Sequence, residues 1–423
     1  MDVVQTFGNI VGRQAAENPQ WARKLLLTGW RAQLLRLKVA PDRRLPPSRQ
    51  YASVVAMDKI TRAMMHPENA AAFSIFSPYE PLEAAGVLPY SVEQMSSFIA
   101  GTKCENAFLQ LSENDGFCET MCSYHRVFLG ALAGGMVPPP AFAVYTNLAC
   151  DGNMITFPHI QAKLGIPGFC IDVPFERSED AVADVARQIR ELVAFVEDQM
   201  HVKITEERLC ESVVRSHRSA RSYRGFLEAS PGRRLPSDMT CEMYAFLMNH
   251  VIMGSPETLR FCQMLEAEMR QAPASDGLRL VWLHTMPFSQ LAAIERMNFN
   301  DRAFITACDL SADTMLIDTD PAKPYDAMAR RMVYSCFNGA TQARIDRAMQ
   351  LAEMTQAHGA VLYCHWGCKA TLGISHLMKD ALEERGLPCL LLDGDGIDDA
   401  NRSDGQTATR LDAFLEMLEA RRK

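Results

Sequence analysis

Gly359–Gly396 reads GAVLYCHWGCKATLGISHLMKDALEERGLPCLLLDGDG. An apolar, strand-like run gives way to an amphipathic helical pattern, and a second apolar run, LPCLLLDGD, follows. Strand, helix, strand is the repeating unit of a parallel sheet covered by helices. Such sheets bind ligands at the carboxyl ends of their strands. Cys364 and Cys368 stand at one of those ends, where the first run passes into the helix. The partial positive charge of a helix N-terminus favours the thiolate that metals bind. The segment therefore reads as part of a metal or redox site, with partners to be found elsewhere.

Working outward, LRLVWLH (278–284) and DTMLID (313–318) read as further strands of the same unit. FSIFS (73–77), AFAVYTNL (141–148) and GFCIDV (168–173) form an earlier set. SYHRVFLGALAGG reads as a helix between two of these, and SEDAVADVARQIRELVAFVEDQM as another, capped by Ser178 or Asp180. The expected fold class is α/β, with two parallel-sheet lobes of flavodoxin or Rossmann type and a site in the cleft between them. Expected boundaries are an N-terminal helical segment (1–70), a first α/β lobe (71–205), a helical connector (206–276) and a second α/β lobe (277–423). Within the first segment, the basic stretch WARKLLLTGWRAQLLRLK reads as an amphipathic docking helix with a solvated face.

Composition narrows the function classes. Hydrophobic content of 48% and charged content of 22% over 423 residues are those of a globular protein with real cores. A net charge of −8 argues against general nucleic-acid binding, which needs a basic footprint. No apolar run approaches the ~18 residues of a membrane span. The opening MDVVQTFGNIVGRQAAENPQ lacks the pattern of a signal peptide, so the expected location is the cytoplasm. Thirteen cysteines in a reducing compartment are poor candidates for a disulfide framework. Some are small buried hydrophobes, and the rest are candidate ligands.

Three of them share one kind of position. Cys122, in GFCETMCSYHR, precedes a helix; Cys150, in VYTNLACDGN, follows a strand; Cys368 follows a strand and opens a helix. Three thiolates converging between two lobes leave one iron of a [4Fe–4S] cube open to an outside ligand. Zinc is the alternative for soft thiolates with His365 nearby. His125, His159 and His365 read as supports rather than ligands, Asp172 as a structural turn residue, and Asp393 and Asp395 as local hydrogen-bonding groups in a Gly-rich turn.

Several segments together carry a resemblance. They are SPYEPLEAAGVLPY (77–90), CSYHR (122–126), NLACDG (147–152), GIPGFCIDVPF (165–175), GCKATLGIS (367–375) and GLPCLLLDGDGIDDANRSDGQTATRLDAFLEML (386–418). In this order they resemble the D-component family of 2-hydroxyacyl-CoA dehydratases, which also holds benzoyl-CoA reductase subunits and double-cubane cluster proteins. The resemblance implies that Cys122, Cys150 and Cys368 ligate a [4Fe–4S] cluster in an oxygen-sensitive lyase. It implies an ATP-dependent activator that delivers one electron, a ketyl radical formed from a CoA thioester, and loss of water. A homologous second subunit, or a second copy, is the implied partner. Glu80, with Ser77 beside it, falls in the matched P-x-E segment and is the implied acid or base; its other reading is a helix-capping carboxylate.

Cys104, Cys118 and Cys336 exceed the needs of one cube. An [8Fe–9S] double cubane requires about twice as many thiolates. That leaves open an ATP-coupled reductase of small unsaturated molecules, an oxidoreductase. A third reading, from another class, is a non-catalytic metal-binding scaffold. No G-x4-G-K-[ST] occurs, so ATP hydrolysis belongs to a separate protein in either enzyme reading.

Overall fold

The structure is a computed structural model and describes residues 2–422. Three helices come first, Val3–Glu17, Pro19–Val39 and Pro47–Met65. Asp2 caps the first by accepting from the backbone of Val4 and Gln5, and Asn18 caps the second, with Pro19 at its first position.

Two four-stranded sheets follow. The first contains β1 (Ala70–Phe73), β2 (Leu88–Ser91), β3 (Phe142–Thr146) and β4 (Gly168–Ile171), in the order β2-β1-β3-β4. The second contains β5 (Leu278–Leu283), β6 (Ala303–Cys308), β7 (Gly359–His365) and β8 (Cys389–Gly394), in the order β6-β5-β7-β8. Every pairing is parallel. Numbered within its own sheet, each therefore has the order 2-1-3-4. In such a sheet the order of strand addition reverses between the first and third strands, and a crevice opens above their carboxyl ends. The two-lobe α/β expectation is met, down to a shared topology.

The inner strands β1, β3, β5 and β7 are buried along their lengths, as helix-covered parallel strands must be. In the chain between the two sheets run the helices Glu206–Ala229, Met239–His250 and Pro256–Gln271. A smaller core on the outer face of the second sheet joins Leu280, Trp282 and Val361 to Leu411, Phe414 and Leu418 of the helix Asp404–Arg422. Gly359 permits that closure, because a Cβ there would meet the Phe414 ring at 2.9 Å. Among the described residues no helix is long and apolar enough to cross a membrane.

Three strand readings need correction. Asp313–Asp318 is not a strand: Thr314–Leu316 is a turn of 3₁₀ helix. The buried Asp313 carboxylate accepts from the backbone N–H of Cys336 (2.7 Å) and the Ser335 hydroxyl (2.6 Å), a bend rather than a ladder. The real strand, Ala303–Cys308, is AFITAC, whose small residues dilute the apolar signal. FSIFS contributes only Phe73 to β1, and the short β2, absent from the expected strands, holds Pro89, which is tolerated here at a sheet edge.

Candidate functional site

The two crevices face one apolar cavity of about 120 Å³. Its walls come from equivalent places in the two sheets. Ile75 and Phe76 follow β1 and Cys150 follows β3; His284 follows β5 and Cys368 follows β7. The helix Met239–His250 adds Met243 and Phe246.

Cys122, Cys150 and Cys368 all line this chamber, and each occupies the N-cap position of a helix. Burial pushes the Cys122 thiol well above its usual range, and Cys150 and Cys368 push it further. Burial raises the Cys150 thiol too, with added contributions from Glu93 and Cys368. The three sulfurs thus sense one another in a poorly solvated space. Among the described residues no three Cys, His, Asp or Glu side chains are arranged to hold a single metal ion.

Glycines bring these turns together. A Cβ on Gly367 would collide with the Cys122 backbone, so the G-C pair of GCKATLG lets the second lobe's turn touch the first lobe's. A Cβ on Gly152 would stand 2.9 Å from the His125 ring. Ala149 holds a left-handed φ of 64° just before Cys150, a cost that a non-glycine residue accepts only where neighbours impose it.

The CSYHR segment is a strap between the lobes. The Ser123 hydroxyl donates to Asp395 at 2.5 Å, and the Tyr124 hydroxyl pairs with Thr285 at 3.0 Å. Arg126 is buried between Glu113 and Asp398. His125 Nε2 lies 3.2 Å from Cys150 Sγ, and His365 Nε2 lies 3.2 Å from Cys122 Sγ. Burial pushes the His125 pKa down to about 4 and also lowers that of His365, so both rings are neutral near pH 7. Each of these two rings thus stands within hydrogen-bond reach of one thiol. His159 lies apart, against Phe117 and Asp115.

The remaining expected residues lie elsewhere. Glu80 is fully buried, ion-paired with Arg331, and accepts from the Ser216 hydroxyl at 2.6 Å. Its second oxygen and the Ser77 hydroxyl are buried without a hydrogen-bond partner. Both residues line a separate small cavity that shares only Ile75 and Phe76 with the thiol chamber. Cys104 packs in the N-terminal part of the molecule with its thiol toward the Ile99 carbonyl. Cys118 is exposed beside Thr120, and Cys336 is buried beside Asp313. None of these three lines the chamber. Cys364 is a buried strand residue, and Asp172 and Arg410 pair locally with Asn147 and Asp393.

Sequence reasoning missed three chamber residues. Glu93 lines the chamber near the start of the helix Val92–Gly101, and burial raises its pKa to about 7, the range suited to acid–base work. His284 combines a left-handed φ of 77° with a buried, unpartnered Nδ1. Cys308 ends β6. Asp309 next to it accepts from the His284 backbone at 2.6 Å and pairs with Arg344 at 3.0 Å; Arg344 in turn donates to Thr371 at 2.8 Å. For Cys308 the chain offers one signal, the Cys-Asp pair that closes AFITAC.

The family model described as 2-hydroxyglutaryl-CoA dehydratase, D-component, matches residues 74–418, leaving the three N-terminal helices outside. The chain is 22% identical over 377 residues to the (R)-phenyllactyl-CoA dehydratase alpha subunit of Clostridium sporogenes, covering 82% of this chain and 88% of that one. It is 22% identical over 376 residues to the lactoyl-CoA dehydratase subunit alpha of Anaerotignum propionicum, covering 81% and 89%. The (R)-2-hydroxyisocaproyl-CoA dehydratase alpha subunit of Clostridioides difficile matches at 22% over 372 residues, covering 81% and 89%.

Proposed function

Because the chain belongs to the 2-hydroxyglutaryl-CoA dehydratase D-component family, we propose that it is the iron–sulfur subunit of a 2-hydroxyacyl-CoA dehydratase-type lyase. The substrate class is a 2-hydroxyacyl CoA thioester, which loses its hydroxyl and a C3 proton as water. One observation carries this reading: Cys122, Cys150 and Cys368 line a single apolar chamber between two like sheets. Three thiolates there would repel one another and lack solvation. A positively charged iron–sulfur core relieves both penalties, so the donor set fits a [4Fe–4S] cluster. Such a cluster, when bound and charged by a separate ATP-dependent activator, supplies one-electron reduction of the thioester carbonyl.

The protein's own groups do the rest. Phe76, Met243, Phe246 and Phe337 make the chamber apolar and keep bulk water from a reactive acyl group. Glu93, poised near pH 7, is the group to move the C3 proton. Glu80 and Arg331 brace one lobe against the other rather than meet substrate. A larger cavity of about 590 Å³ adjoins the chamber and shares Ser97, Met243 and Phe288 with it. Its lining sets Arg36, Lys103 and Arg402 against Glu105 and Asp399, a balance on the cationic side that suits the long, anionic arm of a CoA thioester. The alpha-subunit relatives support a partner subunit. The double-cubane reading has less support, since its extra cysteines lie outside the chamber.

Anaerobic iron and sulfide quantification tests the proposal. About four irons per chain are expected, with loss in Cys122→Ser, Cys150→Ser and Cys368→Ser. Zinc alone, or iron retained when all three are replaced, would sink it.

A further inference from the structure

His365 closes β7, and its two ring nitrogens have different partners. The Gly396 backbone N–H donates to Nδ1 at 3.1 Å. A backbone N–H can only donate, so Nδ1 must carry the lone pair and Nε2 the proton. An imidazolium is excluded by the same bond, because both of its nitrogens are donors. The Asp395 carboxylate stands 3.8 Å from Nδ1, beyond hydrogen-bond reach. Nε2 points to Cys122 Sγ at 3.2 Å.

The turn that presents Gly396 is clamped. Asp395 Oδ1 accepts from the backbones of Ile397 (2.9 Å) and Asp398 (2.8 Å) and from Ser123 (2.5 Å). The Asp395 carbonyl accepts from Tyr363 (2.7 Å) and Ser289 (2.6 Å). A Cβ on Gly396 would meet the Tyr124 ring at 2.7 Å, so the backbone is as close as it can come. His125 differs. Its Nδ1 faces the Thr156 hydroxyl at 2.8 Å, which can donate or accept, so either tautomer suits it.

We infer that His365 is a neutral, Nε2-protonated imidazole that donates a hydrogen bond to the Cys122 sulfur, its tautomer set by the Gly394-Asp395-Gly396 turn. It is a positioning residue. Its donor N–H stabilises negative charge on the sulfur and so raises the potential of a cluster ligated there. This explains why the LLDGDG run matters to a site it does not line. The effect on a cluster rests on the proposed function; the tautomer does not.

Ring-¹⁵N-labelled histidine in the full-length, metal-free chain gives the direct test, with the His365 signal assigned by its loss in His365→Gln. The expected pattern is a proton on Nε2, and a proton on Nδ1 overturns the inference. Iodoacetamide labelling of Cys122, followed by mass spectrometry, is the second readout. His365→Leu should react about tenfold more slowly than the unmodified chain, and His365→Gln, which keeps a side-chain N–H, should recover to within about threefold. A leucine variant reacting at the original rate refutes the donor role. If the leucine variant does not fold, the nitrogen signals of the unmodified chain decide alone. Absence of iron alongside the expected tautomer refutes the proposed function and leaves this inference standing.

Discussion

The two lobes share a strand order but hold their parts of the site by different means. In the first lobe the turn before Cys150 is secured mainly by neutral groups. Asn147 accepts from the Val173 backbone at 2.8 Å, Thr146 accepts from the Leu148 backbone at 3.1 Å, and Asn153 donates to Ser74 at 2.9 Å. In the second lobe a buried ion pair does the corresponding work. Asp309 and Arg344 join the ends of β5 and β6 to Thr371 in the Cys368 turn, with side chains only 0% and 3% exposed. Topology therefore dictates where a turn projects, but not the forces that hold it. Neutral amides tolerate some water, whereas a buried pair is stable only while both members are present.

The largest expected effect follows from breaking that pair. Asp309→Ala leaves the Arg344 guanidinium buried without its counter-charge and strips the His284 backbone of its acceptor. A loss of about 3–5 kcal/mol is expected for removing one partner of a buried pair. Urea unfolding of the metal-free chain measures it. A loss under about 1 kcal/mol would mean that the second lobe is held no differently from the first.

Comparing the two close-approach glycines sharpens the contrast further. Gly367→Ala forces a Cβ against the Cys122 backbone, which cannot turn aside. Gly152→Ala meets the His125 ring, which can shift within its cavity. The first should cost about 1–3 kcal/mol, as overpacking does, and should separate Cys368 from Cys122, lowering iron retention. The second should cost less and keep its iron. Equal retention in both variants would show that the lobes are not drawn together at Gly367.

Much of this plan was legible in the chain. Cys122, Cys150 and Cys368 stand out in the chain because a thiol at a helix start is locally marked, and the fold sets all three on the chamber wall; the Gly-rich turn at 393–396 is the hydrogen-bonding element its composition suggests. Glu93 and His284 were not legible. Periodicity reports which face of an element is buried, not which distant loop completes the cavity beside it. Glu93 looks like an ordinary first-turn carboxylate, and only the fold gives it apolar neighbours and a raised pKa. Glu80 runs the other way: its matched segment suggests chemistry, yet in the fold it is buried against Arg331, 251 residues away in the chain. The extra cysteines part from the chamber for the same reason, since proximity along the chain puts Cys118 near Cys122 without turning its thiol into the chamber.

The smallest effect belongs to the first lobe's neutral clamp. Asn147→Ala removes a side chain that bridges the Cys150 turn to the end of β4, where it meets Asp172 and both the N–H and the carbonyl of Val173. The site is only partly buried, so water can replace the lost amide, and the cost should be about 1 kcal/mol. The same replacement weakens a restraint on Ala149, whose left-handed backbone costs energy that the surrounding contacts must hold in place. Relaxation there would move Cys150 before it unfolded anything. Asn147→Ala should therefore show near-normal urea unfolding together with faster iodoacetamide labelling of Cys150 in the metal-free chain. A loss as large as that of Asp309→Ala would erase the distinction between the lobes, and an unchanged labelling rate would show that the Cys150 turn holds its shape without the amide.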